Sequence, residues 1–118
     1  DAAVVHGGID HRKPVAEHTL AELLNTRSLA PDGGYERPFW FETRRESPRI
    51  FFGHTVLAEP FESDHAVGLD TGCVYGGRLT AYDYRNSTFR SVEPPETYRS
   101  RSADSIVEPR LATPDGRP

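Results

Sequence analysis

Three short apolar runs along the chain each stop at a polar, glycine-bearing turn: AAVV at His6-Gly7-Gly8, RIFF at Gly53-His54-Thr55, and AVGL at Asp70-Thr71-Gly72. Runs this short, bounded by turn residues, read as buried strands, and they predict strands over Ala2–Val5, Arg49–Phe52 and Ala66–Leu69. Further along, apolar and polar residues alternate, with Leu79 and Ala81 on one side and Thr80 and Tyr82 on the other. That alternation predicts a half-buried hairpin with arms 79–84 and 87–92, turning at Arg85-Asn86.

The spacing changes between the first two strands. In EHTLAELLNTR, Leu20, Leu23 and Leu24 share one helical face, which predicts core packing, and Thr19 and Glu22 stand at capping-box distance. Ser28 to Pro48 is then a long connection holding the aromatic cluster Pro38-Phe39-Trp40-Phe41, expected to anchor the loop to the core. After Glu93 the chain turns rich in proline, serine and arginine, so residues 94–118 are expected to form a disordered tail. There is no internal repeat.

With 118 residues, 36% of them apolar and 27% charged, the chain has the makeup of one small soluble domain. No apolar run approaches the roughly 20 residues that cross a bilayer, so no membrane association is expected. A net charge of −4 argues against a general nucleic-acid binder. Cys73 stands alone, which leaves no internal disulfide and suits a reducing, cytoplasmic setting. The absence of methionine, with a strand-like run beginning beside Asp1, is most simply read as a piece of a longer protein.

Strand ends that lie side by side put their turns along one sheet edge, where α/β proteins build their sites. Glycine beside histidine lets the backbone turn while the imidazole projects from a rigid element, an arrangement that suits a metal ligand. His6 and His54 have that setting, whereas His11, His18 and His65 do not and read as surface residues. Two ligands are too few for a tight site. The residues alone therefore reach an incomplete metal site.

The stretch GLDTGCVYGGRL offers other chemistry. Asp70-Thr71-Gly72 could be the catalytic turn of a homodimeric aspartic protease, sharing a proton between two copies of Asp70. A cysteine phosphatase loop, C-x5-R, would need arginine where Leu79 stands, and Arg78 falls one residue short.

Taken together, HGGID at 6–10, FGHT at 52–55 and LDTGCVYGGRLTA at 69–81 resemble the C-terminal half of the calcineurin-like metallophosphoesterases. The nearest branch holds the serine/threonine phosphoprotein phosphatases and diadenosine tetraphosphatases, since Val56 stands where G-H-x-H members have a second histidine. The resemblance implies an α+β fold, a four-layer α/β/β/α sandwich, of which this chain is the C-terminal half, mainly β with one helix. Residues 1–93 would be the C-terminal part of that domain.

It also implies two divalent metal ions, manganese first and iron or zinc as alternatives, bridging a water that attacks phosphorus. His6 and His54 would ligate one ion. Asp70, Thr55, Tyr75 and Arg78 would support the site or face substrate, a phosphoprotein or a dinucleoside polyphosphate. The family's D-x-H, G-D-x-x-D-R-G and G-N-H-[DE] motifs, with the general acid, are absent from this chain. By itself it is therefore expected to be inactive. The alternative is a non-catalytic binding or regulatory module that keeps the fold.

Overall fold

The structure is a computed structural model that describes residues 1–111. In chain order its elements are β1 (Ala2–Val5), α1 (Leu20–Asn25), α2 (Trp40–Thr43), β2 (Arg49–Phe52), β3 (Phe61–Glu62), β4 (Ala66–Gly68), β5 (Leu79–Asp83) and β6 (Thr88–Val92). Strands β1, β2 and β4 run parallel, and β3 pairs antiparallel with β4 to give the order β1-β2-β4-β3. Parallel neighbours need a long crossover, and the β1–β2 crossover carries both helices. The register pairs Val5 with Phe52 and Phe52 with Gly68. The three strands thus end level, and their turns share one edge.

One face of this sheet is sealed by aromatic packing. Ile50, Phe52, Ala66 and Phe61 lie under Phe39, Trp40 and Phe41, with Trp40 and Phe41 fully buried. Trp40 meets Phe52 edge-on at 4.8 Å, and Phe41 stands 4.9 Å from Phe52 and 5.0 Å from Phe61. Such pairs add about 0.5–1.5 kcal/mol beyond the area they bury. The PFWF cluster does anchor the long connection, but through a helical turn that the sequence did not reveal. That turn, α2, is held at its start by the Glu42 carboxylate, which accepts the Phe39 N–H at 3.0 Å. Glu42 is buried, and Arg37 and Arg110 pair with it, as an interior carboxylate requires.

The hairpin forms the next layer. Strands β5 and β6 pair antiparallel from Leu79–Val92 to Asp83–Thr88, close to the predicted arms. Its faces are the reverse of a simple apolar-in reading. Leu79 and Val92 are exposed, whereas Thr80 is buried, and Tyr82 and Tyr84 stand against Phe51 on the second face of the sheet. The reason is a chain of hydroxyls: Thr71 Oγ1 lies 2.6 Å from Thr80 Oγ1, which lies 2.7 Å from Ser91 Oγ. Satisfied hydroxyls can occupy an interior position, so polarity here does not mark the outside.

The result is a small α+β domain with a mixed sheet, and three layers are on view: helices, sheet and hairpin. The expectation of one helix is corrected to two, α1 and α2, with 3₁₀ turns at Val15–Glu17, Cys73–Tyr75 and Ala103–Ser105. Helix α1 has the predicted capping box, Thr19 and Glu22 exchanging bonds with each other's backbone N–H. Its apolar face is not a core stripe, however. Leu20 is 71% and Leu24 41% exposed, and only Leu23 packs on the core. Six residues make too short a helix to turn three leucines inward. Residues 94–111 run back along the body with Val107 buried, and the remainder of the expected tail, 112–118, lies outside the described residues. No helix in the described part is long and apolar enough to cross a membrane.

Candidate metal centre

The turn after β1 is built by close packing. Gly7 and Gly8 N–H groups both donate to Leu23 O, at 2.8 and 3.3 Å, which satisfies a carbonyl near the end of α1 that lacks an intrahelical partner. A β-carbon on Gly8 would lie 2.1 Å from the Trp40 indole nitrogen, so only glycine lets this turn slide between helix and indole. His6, just before the glycines, is left exposed at the strand end.

The turn after β2 is built by backbone strain. Thr55 N–H donates to Gly53 O at 2.7 Å, closing a three-residue turn around His54, whose φ is +66°. A non-glycine residue in the left-handed region costs about 1–3 kcal/mol and tends to mark a working site. Gly53 N–H donates to His6 O at 3.0 Å, tying the two turns together. The His6 and His54 rings consequently meet, with centroids 5.1 Å apart and planes tilted by 49°.

The electrostatics favour a ligand. Burial pushes the His54 pKa below its ordinary value, and the charges of Arg27 and His6 push the same way against a weaker opposing effect of Asp70. His54 is thus neutral near pH 7, the form that offers a lone pair to a cation. Its Nε2 is buried with no hydrogen-bond partner, an arrangement that is costly unless something else takes that lone pair. These two histidines fit a shared metal ion on chemical grounds. They are too few to complete its shell: among the described residues, no group of three or more His, Cys, Asp or Glu could hold an ion.

Around the pair, the sequence-predicted residues divide. Asp70 Oδ1 accepts the Gly72 N–H at 3.1 Å, holding Gly72 in its left-handed turn, and no hydrogen bond joins it to His54 among the described contacts. Thr55 is fully buried, its hydroxyl unpartnered. Tyr75 lies at the loop beside the site with the guanidinium of Arg101 over its ring at 4.8 Å. Arg78 points elsewhere and pairs with Glu59 at 2.7 Å. Thr71 spends its hydroxyl on Arg78 O and Thr80, so the Asp-Thr-Gly stretch serves as a brace between sheet and hairpin.

Two arginines were missed by sequence reasoning. Arg27 Nη2 lies 3.4 Å from His54 O, its Nε is buried without a partner, and its guanidinium covers the Tyr35 ring at 4.8 Å. Arg101 reaches the same place from the far end of the chain. Neither sits in a motif; only the helix stop after Asn25 could have drawn attention to Arg27.

No family model matches the chain, but similar proteins do. A bis(5'-nucleosyl)-tetraphosphatase PrpE from Geobacillus thermodenitrificans is 39% identical over 110 residues, an alignment that covers 84% of this chain and 44% of that protein. The namesake from Anoxybacillus flavithermus is 44% identical over 46% of this chain and 22% of its own length. A crystal structure of a presumed diadenosine tetraphosphatase superposes with a TM-score of 0.62 and 30% identity, covering 75% of this chain and 45% of that one. The chain therefore spans less than half the length of these relatives. These relationships support the resemblance to the metallophosphoesterases, in the branch that includes the diadenosine tetraphosphatases.

Proposed function

We propose that this chain supplies the C-terminal part of a metal-dependent phosphoesterase that hydrolyses dinucleoside polyphosphates. The observation that carries this reading is the meeting of His6 and His54 at one sheet edge, 5.1 Å apart, with His54 Nε2 buried and unpartnered. The names of the similar proteins supply the substrate class. Two divalent ions, manganese first and iron or zinc as alternatives, would when bound acidify a water and offset charge on the phosphoryl oxygens.

The residues of this chain have four tasks. His6 and His54 hold one ion, the first from a rigid strand end and the second from a strained turn that fixes its direction. Arg27, beside His54, offers donors to a phosphoryl oxygen, since a guanidinium matches phosphate geometry. Asp70 and Thr71 keep the neighbouring loop in place. Tyr75 borders the space where the rest of the substrate lies. The chain alone is proposed to be inactive, because two histidines hold an ion weakly and no third ligand joins them among the described residues. Its lone, free cysteine suits work in a reducing cytoplasm.

The test is made on the full-length protein. His54→Ala and His6→Ala should each weaken manganese binding, read by titration and by metal content, by at least about tenfold, and hydrolysis of diadenosine tetraphosphate should fall with it. If metal content and turnover survive both substitutions, the assignment is wrong. Wild-type protein that binds the dinucleotide but releases no product would instead establish the non-catalytic module.

A further inference from the structure

Residues 94–111 return across the molecule and are pinned on both sides of Arg101. On one side, Tyr98 and Arg99 N–H groups donate to Val74 O at 3.0 and 2.8 Å. Thr97 also lies so close to Gly76, itself at φ +90°, that a β-carbon there would come within 2.6 Å of the threonine hydroxyl. On the other side, Val107 N–H donates to Val56 O and Val107 O accepts from Ala58 N–H, both at 2.8 Å. One anchor is therefore the loop that carries Tyr75, and the other follows directly on Gly53-His54-Thr55. A segment pinned to both loops of a candidate site holds whatever lies between its anchors at that site.

What lies between them is a guanidinium joining two tyrosines. Arg101 Nη2 donates to the Tyr35 hydroxyl at 2.6 Å, Nε donates to Ser105 O at 3.0 Å, and the guanidinium lies 4.8 Å from the Tyr75 ring centroid. Tyr35 carries Arg27 on its ring, also at 4.8 Å, and remains 37% exposed. Segments far apart in sequence thus bring two cations and two aromatic rings to the rim beside His54. A core has no need of this set, because arginine is costly to bury and cheap to leave in water. A nucleotide does need it: guanidinium donors match phosphate oxygens, and bases stack on aromatic or guanidinium planes.

We infer that Arg101, held between Tyr35 and Tyr75, is a specificity-determining residue that grips the phosphate chain beyond the reacting phosphorus while the attached base lies against Tyr35. This rests on the dinucleoside polyphosphate reading above and assigns the part of the site that separates such a substrate from a simple phosphomonoester. Arg27, next to His54, serves the reacting end, and Arg101 serves the distal end. The returning segment is the device that supplies Arg101.

The test compares two substrates on the full-length protein, diadenosine tetraphosphate and p-nitrophenyl phosphate, with Arg101→Ala and Arg101→Lys. Arg101→Ala should lower the ratio of their kcat/KM values about tenfold, mainly through a higher KM for the dinucleotide, as befits loss of a charge-assisted contact. Binding of a methylene-bridged, non-hydrolysable diadenosine tetraphosphate, followed by calorimetry, should weaken by the same factor. Arg101→Lys keeps the charge without the planar fork and should recover part of the loss. A ratio and a calorimetric affinity that both stay at wild-type values in a folded Arg101→Ala protein would overturn the inference and leave the phosphoesterase reading standing. A wild-type protein that cleaves p-nitrophenyl phosphate but neither binds nor cleaves the dinucleotide would overturn the substrate reading, and the inference with it.

Discussion

His6-Gly7-Gly8 and Gly53-His54-Thr55 look like two copies of one device: an apolar strand, a histidine, and glycine beside it. In three dimensions they are built on opposite principles. After β1 the glycines do the structural work, wedged between α1 and Trp40, and His6 is an ordinary exposed residue at a strand end. After β2 the histidine itself takes the unusual backbone, φ +66°, and a β-carbon on Gly53 would meet nothing nearer than His6 O at 3.7 Å. Similar sequence around a functional residue therefore does not mean similar constraint. In one turn packing fixes the imidazole, and in the other the torsion of the residue does.

Glycine replacement breaks the comparison most sharply. Gly8→Ala would drive a methyl group to within 2.1–2.5 Å of three indole atoms of Trp40, which is fully buried and has nowhere to move. The expected cost is about 3 kcal/mol, at the upper end for overpacking, read as a lower denaturant midpoint. Gly53→Ala enters ordinary contact distance and needs no left-handed backbone, so it should be neutral or stabilising by up to about 1 kcal/mol. Equal losses at the two positions would mean that both glycines are needed for space, against the structure.

That asymmetry shows what the sequence could and could not convey. The pairing of His6 with His54 was legible because register is fixed by strand ends: three apolar runs closing at polar turns had to line one edge once the strands lay side by side. The hairpin was legible from its alternation, though not which face turns inward, because Thr80 hides its polarity in hydroxyl contacts with Thr71 and Ser91. Strand β3, two residues long, and helix α2, four long, are too short to show any period. Arg27 and Arg101 were illegible for a different reason. Their place at the site depends on contacts with Tyr35 and Tyr75 across long stretches of chain, and no local pattern encodes such contacts.

A smaller effect separates the two histidines themselves. His54→Gly removes a side chain from a left-handed backbone and also removes a buried nitrogen without a partner. Relief of about 1–3 kcal/mol is offset in part by the roughly 0.5–1 kcal/mol of chain entropy that glycine adds. In metal-free protein the variant should be about 1 kcal/mol more stable, even as manganese binding fails. His6→Gly relieves nothing and should lose about 0.5–1 kcal/mol. Opposite signs in chelator-treated protein would confirm that strain is stored in one turn only, and two losses would refute it.

The smallest effect concerns how the first turn is continued. Asp10, two residues beyond Gly8, is held by Arg12: side-chain bonds from the guanidinium, both 2.9 Å, are the chief cause that lowers its pKa from 3.8 to about 2. A carboxylate depressed in the folded state contributes stability above its unfolded value, and that contribution is lost as pH falls through the folded value. The window is therefore pH 3.8 down to about 2. Because the Arg12 side chain is 60% exposed, solvent screens the pair and its worth is on the order of 0.5 kcal/mol. Asp10→Asn should flatten the stability profile across that window and lower stability near pH 7 by only that amount, on the order of 0.5 kcal/mol. The Asp10 N–H, which donates to His18 Nε2 at 2.9 Å, is untouched by the substitution and continues to hold the loop. Should Asp10→Asn instead unfold the turn at neutral pH, the carboxylate would have to share with Trp40 packing the task of placing His6, and the division between a packed turn and a strained one would need a charged third element.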